Sequence, residues 1–158
     1  MTRSFKMIAA AALGAALLAG CGGPRYKDVA GTIPVMVPDT GRIYFYQPPA
    51  PLGVVSSQPY LRVNGIKVGR SKPGSFFYVN RPAGKYEIDT LRDGESLSFT
   101  LAPGQTRYVR LSIEGATGNG SVGRQDMRLE ESEAVVQHEL SPLKYWGAGS
   151  RERVKLRP

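Results

Sequence analysis

The chain has 158 residues, with 21 basic side chains, 13 acidic side chains and a single cysteine. A length of this order predicts one domain with its own core, and the single thiol excludes an intramolecular disulfide and a thiolate metal cluster. The net charge of +8 favours anionic partners.

The N-terminus has the order of features found in an export signal. Arg3 and Lys6 precede an apolar and small-residue run over 7–20, which is shorter than the roughly 20 residues of a membrane-spanning helix. The run ends at Cys21. This pattern resembles the lipobox of bacterial lipoproteins, which implies a signal peptide over residues 1–20 and a lipid on Cys21. Cleavage would lower the net charge from +8 to +6, because two basic residues leave with the signal.

Export also defines the class of partner. It removes nucleic acid as an ordinary partner and leaves the membrane, anionic glycans or lipids, and other envelope proteins. Gly22 follows the cysteine, whereas the retention signal familiar in enteric lipoproteins is aspartate at this position. The resemblance therefore implies a lipid-anchored protein on the periplasmic face of the outer membrane, in an organism that has one.

Residues 21–40 are predicted to form a flexible tether. Glycine and proline interrupt any periodicity at Gly22, Gly23, Pro24, Gly31, Pro34 and Pro38. Fully extended at about 3.3 Å per residue, such a segment reaches roughly 65 Å. Val35 and Val37 alternate around Met36 and suggest a short edge strand.

Residues 41–143 have the alternation of strand-like runs and turn-forming residues that is typical of an all-β domain. Strand-like runs occupy 42–46, 61–63, 66–68, 76–79, 86–90, 97–101, 109–113 and 127–129. Asn64 and Gly65 offer the positive φ angles that a two-residue hairpin needs. The alternation of apolar and polar residues, interrupted by turn signals, predicts an antiparallel β-sandwich of about seven to eight strands.

The end of the chain changes character. Val136, Leu140 and Leu143 recur at helical spacing, and Pro142 limits the run. One short C-terminal helix within 131–143 is therefore predicted to pack on the sheet. Residues 144–158 are predicted to form a basic, flexible tail.

Four segments carry a family resemblance. They are residues 41–46, 63–69, 74–79 and 82–88. Together they are similar to the bacterial envelope family called domain-of-unknown-function 2846, over about residues 41–143. Residues 62–111 are also similar to the PEGA-type β-sandwich repeat. Because these motifs are turn and core patterns, the resemblance implies a β-rich fold and transfers no catalytic residue.

The sequence offers no arrangement typical of catalysis or metal binding. Residues 118–123 spell the glycine pattern of dinucleotide-binding turns, but without a surrounding βαβ unit a hairpin loop is the preferred interpretation. His138, the sole histidine, falls opposite Val136 and Leu140 and is predicted to be solvated. The carboxylates are scattered, which favours surface charge over an acid–base pair. A non-enzymatic protein without cofactor or metal is predicted.

Two groups of basic residues are the candidate polyanion-binding residues. The strand group lies at or beside strand positions that alternate with apolar ones, and consists of Arg62, Lys67, Arg70, Arg107 and Arg110. The tail group follows Tyr145 and Trp146, and consists of Arg151, Arg153, Lys155 and Arg157. Ordinary solvation of a polar sheet face is the alternative for the first group. A solubilising tail or an added edge strand is the alternative for the second.

Three functions are compatible with these observations. The first is a non-enzymatic envelope lipoprotein that acts as a binding or scaffold module toward another envelope component. The second is binding of lipopolysaccharide or peptidoglycan through the basic tail. The third is an envelope hydrolase built from scattered carboxylates and hydroxyls.

Overall fold

The computed structural model describes residues 23–52, 54, 58–90, 96–114 and 124–147, and most of them lie in β-strands. In chain order the elements are α1 (Tyr26–Val29), a 3-10 turn (Ala30–Thr32), β1 (Thr40–Gln47), β2 (Tyr60–Val63), β3 (Ile66–Arg70), β4 (Ser75–Pro82), β5 (Gly84–Thr90), β6 (Ser96–Leu101), β7 (Thr106–Glu114), β8 (Arg124–Leu129), α2 (Glu133–Leu140) and β9 (Lys144–Tyr145). The described residues are mostly β, with two sheets and two short helices, so the predicted all-β class is confirmed at that level.

The strands form two sheets of different connectivity. The first sheet has the order β8-β7-β1-β4-β9, and the second has the order β3-β2-β5-β6. The first sheet departs from the predicted antiparallel pairing, because β1 runs parallel to β7 and β4 runs parallel to β9. Three reversals of direction separate β4 from β7. The chain therefore returns to the first sheet with β7 pointing the same way as β1.

The main core lies between the two sheets. Phe45 of β1 and Phe77 of β4 stack at its centre with ring centroids 5.0 Å apart. Further residues of β1 and β4 and residues of the other strands complete this core, namely Ile43, Leu61, Val63, Val68, Val79, Ile88, Leu101, Val109 and Leu111. In the second sheet, the period of two that predicted the strands reflects one buried face and one wet face.

The opposite face of the first sheet is buried as well. Tyr44 and Phe76 contribute to a second core there, which α1 and α2 cover with Val29, Val136 and Leu140. Burial on both faces explains why β1 and β4 have continuous apolar and aromatic runs instead of strict alternation.

Residues 26–32 differ most from the prediction of an irregular tether. They form α1 and the 3-10 turn, in which Val29 is fully buried. The Tyr26 ring meets Phe76 edge to face at 5.3 Å, and its backbone N–H donates to the Leu143 carbonyl oxygen at 2.8 Å. The glycine and proline residues lie on either side of α1 and do not interrupt its single turn. Tyr26 and Val29 are three residues apart in this helix, so both side chains reach the same sheet.

The predicted strand around Val35 and Val37 is absent from this described segment. Both side chains are exposed, at 92% and 65%, and residues 33–37 have no regular structure. The predicted C-terminal helix is present as α2, which is shorter than 131–143. Ser132 caps its N-terminus by accepting a hydrogen bond from the Val135 N–H, and His138 is exposed, as predicted.

The turn between β2 and β3 has the predicted geometry. Asn64 and Gly65 have φ angles of 49° and 76°. The Asn64 Oδ1 atom also accepts a hydrogen bond from the Glu87 N–H at 2.8 Å, which ties the turn to β5. A Cβ atom at Gly65 would meet nothing within 4 Å, so a side chain there strains only the backbone.

Gly65→Ala is therefore expected to lower the free energy of unfolding by about 1 kcal/mol, because alanine disfavours the left-handed conformation. Urea denaturation measures the change. Gly31→Ala is the matched control, since a Cβ atom also finds open space there while φ is not in the left-handed region. It should stay within about 0.5 kcal/mol of the parent. Equal costs at the two positions would contradict the assignment of backbone strain to Gly65.

Candidate interaction surfaces

The structure brings together three of the five basic strand residues. Arg62, Lys67 and Arg70 lie on β2 and β3 of the second sheet, on its outer face. Arg107 and Arg110 lie on β7 of the first sheet, three residues apart and on opposite faces of the strand. The predicted common basic face is therefore limited to the first three residues.

A β-bulge places Lys67 and Arg70 on the same face. Leu61 pairs with Gly69, and the next residue of β2, Arg62, pairs with Lys67, so Val68 is the extra residue of β3. In a regular strand, residues three apart point to opposite faces, and the bulge reverses that parity. The sequence contains no local signal for this shift.

Lys67 and Arg70 flank the exposed ring of Tyr60. The Lys67 Nζ atom lies 3.8 Å from the ring centroid, and the Arg70 Cζ atom lies 5.5 Å from it. Tyr60 is 41% exposed. These three residues are called the Tyr60 cluster. Among the described residues, no carboxylate lies within ion-pairing distance of Lys67 or Arg70, so the cluster presents two uncompensated positive charges around an aromatic ring.

The neighbouring Arg62 differs because its charge is compensated. Its guanidinium forms an ion pair with Asp89 of the adjacent strand β5. The Arg62 side chain is 35% exposed and that of Asp89 is 18% exposed. This pair contributes to packing of the outer sheet face. Because the Arg62 guanidinium is engaged with Asp89, it is less available to a ligand than Lys67 or Arg70.

A shallow open depression of about 400 Å³ lies further along the same outer face. Its lining residues are Asn64, Lys85, Tyr86, Glu87, Ser98, Phe99 and Thr100. Lys85 and Glu87 give it one positive and one negative charge. The depression therefore has no net charge with which to select an anionic ligand.

Arg110 belongs to a partly buried network beneath α2. Its Nε and Nη2 atoms donate to the two carboxylate oxygens of Glu139 at 2.7 and 2.9 Å, and Tyr46 donates to Glu139 at 3.2 Å. These hydrogen bonds, that from Arg110 foremost, lower the pKa of Glu139 below its ordinary value. Burial, followed by the charge of Glu139, raises the pKa of Tyr46. The network joins the helix to the sheet.

Arg42 is a buried cation that the sequence analysis did not single out. It is 7% exposed, and its Nε and Nη2 atoms donate to Asn80 Oδ1 and to the Pro34 carbonyl at 2.8 and 2.5 Å. Its guanidinium lies 4.6 Å from the centroid of the Tyr78 ring. Arg42 thus holds the loop before β1 against the sheet. Burial raises the pKa of nearby Tyr44, so this hydroxyl stays protonated.

The two ends of the described chain meet at the outer edge of the first sheet. Lys144 of β9 pairs with Ser75 of β4 and forms a bridge with Arg25 on its other side. Arg25 and Lys144 are exposed. Trp146 is 46% exposed, and the Lys72 Nζ atom lies 3.8 Å from its ring centroid. Arg25, Lys72, Lys144 and Trp146 are called the terminal edge.

Several predicted features lie outside the described residues. These are the signal peptide, Cys21, the glycine loop over 115–123 and the tail group Arg151, Arg153, Lys155 and Arg157. Within the described ranges, no three histidine, cysteine or acidic residues come together as metal ligands. In that same part of the chain, no helix has the length and apolar character needed to span a bilayer.

The fold and these surfaces define a two-sheet β-module with exposed basic and aromatic residues. The chain belongs to the family described as "Protein of unknown function (DUF2846)", which matches residues 38–123. The predicted family is therefore confirmed, with a shorter span than the predicted 41–143 at the C-terminal end. The match contains β1 to β7 and excludes α1, β8, α2 and β9. Of these, α1 and α2 cover the second core, and β9 lies at the sheet edge. No curated protein and no solved structure matches the chain.

Proposed function

We propose that the protein is a non-enzymatic, membrane-anchored envelope lipoprotein whose folded domain is a binding or scaffold module. Its anchor is a lipid on Cys21, at the periplasmic face of the outer membrane. The ordered sequence of basic residues, short apolar run, small residues and cysteine supports the anchor. The two-sheet architecture is compatible with a PEGA-like sandwich, which remains part of this proposal.

The Tyr60 cluster is the observation that carries the binding role. An exposed ring flanked by two cations favours an anionic partner, such as the phosphates or carboxylates of an envelope glycan or lipid. Arg70 is already oriented, because its Nε atom donates to the Gln58 carbonyl oxygen at 2.8 Å. A ligand would therefore meet a partly ordered site, which lowers the entropic cost of binding.

The carboxylates support a binding role over hydrolysis. Asp89, Glu139, Glu130 and Glu131 each lie within ion-pair distance of an arginine, at separations up to 3.8 Å. Glu139 in particular receives a bidentate arginine, which lowers its pKa and opposes service as a general acid near neutral pH. Of these, Asp89 joins β5 to β2 and Glu139 joins α2 to β7.

Lys67→Glu combined with Arg70→Glu should abolish retention of the lipid-free Cys21→Ser protein on purified peptidoglycan or on lipopolysaccharide. A charge-assisted hydrogen bond contributes about 1.5 kcal/mol or more, so each lost cation should weaken binding roughly tenfold. Cosedimentation at several salt concentrations measures the effect. Lys85→Glu is the matched control, because Lys85 lies about 17 Å beyond the level of Leu61 on the same sheet. Equal losses in control and variant, or no retention of the parent, would refute binding by the cluster.

Polyanion binding through the basic tail is the second candidate. The exposed Trp146 and its Lys72 neighbour, just before the tail group, favour it. The same cosedimentation separates the two candidates when the chain is ended after Gly147. Ending it after Leu143 would be misleading, because Lys144 and Tyr145 pair with β4. Retention that depends on the tail group and not on Lys67 and Arg70 would favour this second candidate.

A further inference from the structure

The structure fixes where the chain leaves the domain toward Cys21. The Pro24 carbonyl oxygen accepts a hydrogen bond from the Tyr145 N–H at 2.8 Å, and Arg25 forms a bridge with Lys144. A Cβ atom at Gly23 would overlap the Tyr145 carbonyl oxygen, so the backbone is closely packed against β9 from this glycine onward. Only residue 22 lies between Gly23 and Cys21.

This attachment shortens the anchor considerably. Two residues span about 7 Å at most, whereas the predicted tether of some 20 residues could span roughly 65 Å. A lipid on Cys21 would therefore hold the terminal edge within about 7 Å of the lipid-bearing residue. The domain then has one side that must face the bilayer.

The residues at that position have the chemistry of a membrane contact. Lys144 and Trp146 alternate with Tyr145, whose ring packs against Phe76 at 5.5 Å. Trp146 is therefore directed away from the second core, where its ring is 46% exposed beside Lys72. Tryptophan is enriched at bilayer interfaces, and lysine and arginine attract anionic headgroups.

We infer that the terminal edge rests on the membrane surface, with Trp146 at headgroup level and Arg25, Lys72 and Lys144 against lipid phosphates. This inference rests on the proposed acylation of Cys21, and the partner it names is a bilayer that contains anionic lipid. The opposite end of the sandwich then projects away from the membrane. Ser75 and Pro82 bound the strand that links the two ends, about 23 Å long.

The orientation also assigns a direction to the polar depression. Lys85, which lines it, follows Pro82 and Gly84 at the end of the sandwich remote from the terminal edge. The depression therefore opens on the membrane-distal part of the domain.

Trp146 is the sole tryptophan of the chain and serves as an intrinsic probe. The acylated full chain is reconstituted in vesicles of phosphatidylcholine and phosphatidylglycerol that contain brominated lipid. We expect the emission of Trp146 to be quenched and shifted to the blue relative to Cys21→Ser protein with the same vesicles. The matched probe is Val37→Trp in a Trp146→Phe background, since Val37 is exposed and lies near Thr40, at the remote end. Its emission should stay unquenched.

Charge reversal tests the headgroup contact. Arg25→Glu combined with Lys144→Glu should bring quenching of Trp146 down toward the level of the Val37 probe, because each basic residue near an anionic surface contributes about fivefold in partition. Vesicles of phosphatidylcholine alone should show weaker quenching of the parent. Lys85→Glu, at the remote end, should leave the signal unchanged.

The outcomes separate this inference from the proposed function. If mass spectrometry finds no acyl group on the natively expressed protein, the anchor itself is refuted. If the protein is acylated and floats with vesicles, but Trp146 is quenched no more than the Val37 probe, anchoring stands and the membrane contact is overturned. If Trp146 is shielded from solvent in native envelopes but not in lipid vesicles, the terminal edge contacts a protein partner. That outcome would also overturn the membrane contact.

Discussion

Cys21→Ser is expected to transfer the protein from the membrane fraction to the soluble fraction. The described residues carry no helix able to span a bilayer. In the proposed anchor, acyl chains on Cys21 supply the anchoring energy. Each buried methylene contributes about 0.8 kcal/mol, and a second long chain makes attachment stable. The three basic residues of the terminal edge are expected to leave only weak, salt-sensitive binding after the sulfur is lost. Fractionation of cells and mass spectrometry of the N-terminal peptide measure the result.

The control variant tests whether the effect is specific to residue 21. Gly22→Ser introduces the same side chain one residue further on and should leave the protein in the membrane fraction. Urea denaturation of both variants and of the parent checks that the substitutions leave the fold unchanged. Unaltered membrane retention of Cys21→Ser, with no acyl group on the parent, would sink the proposed anchor.

Arg110→Met is expected to lower the free energy of unfolding by about 3 kcal/mol. The Arg110 and Glu139 side chains are only 16% and 21% exposed, so removal of the guanidinium leaves a partly buried carboxylate without its bidentate partner. Breaking one side of a buried pair costs about 3–5 kcal/mol, and replacement of both sides by apolar residues costs far less. Arg110→Met combined with Glu139→Met should therefore recover most of the loss in urea denaturation.

Arg107→Met, on the same strand, is the matched control for this comparison. Its partner Glu131 lies 3.8 Å away and is 79% exposed, so the carboxylate left behind stays solvated and the loss should cost less than about 1 kcal/mol. A cost at Arg107 equal to that at Arg110 would contradict the assignment of the Arg110 network as the stronger link. So would a double variant that is no more stable than Arg110→Met.

The same network gives the stability a pH dependence of known sign. Arg110 lowers the pKa of Glu139 below its ordinary 4.5 in the folded state. The Glu139–Arg110 interaction therefore contributes fully to the free energy of unfolding above about pH 4.5. That contribution is lost as the pH falls through the lower pKa that Glu139 has in the folded state. Tyr46, whose pKa is raised above 10, contributes below pH 10 and less as the pH rises further. Glu139→Gln should flatten the acidic part of this profile relative to the parent.

Local sequence rules located most of the strands. The Asn64–Gly65 turn and the alternation of Leu61 and Val63 require only short-range information, because turn dihedrals and sheet parity are local properties. The same rules failed over 26–32, where a single helical turn is stable only through the contacts of Tyr26 and Val29 with the sheet. Four residues have no intrinsic helical stability, so no local pattern predicts them.

The candidate surfaces also depend partly on local sequence and partly on tertiary structure. Lys67 and Arg70 were predicted as part of a basic face, but their convergence on Tyr60 depends on the bulge at Val68. Arg107 and Arg110 were predicted with them, and the strand order placed both in the other sheet. The role of Arg110 depends on Glu139, which lies 29 residues away in the chain.

The sequence by itself determined the β-rich class, the family and the Cys21 lipobox that predicts an anchor, because these are written in short patterns of charge, apolar residues and turn formers. Tertiary structure decided which cations share a face, and it placed the backbone of Gly23 and Pro24 against β9. It did so because strand pairing joins Pro24 to Tyr145 across more than a hundred residues. Pairing energies between distant segments depend on the whole fold, and a local sequence pattern does not determine them.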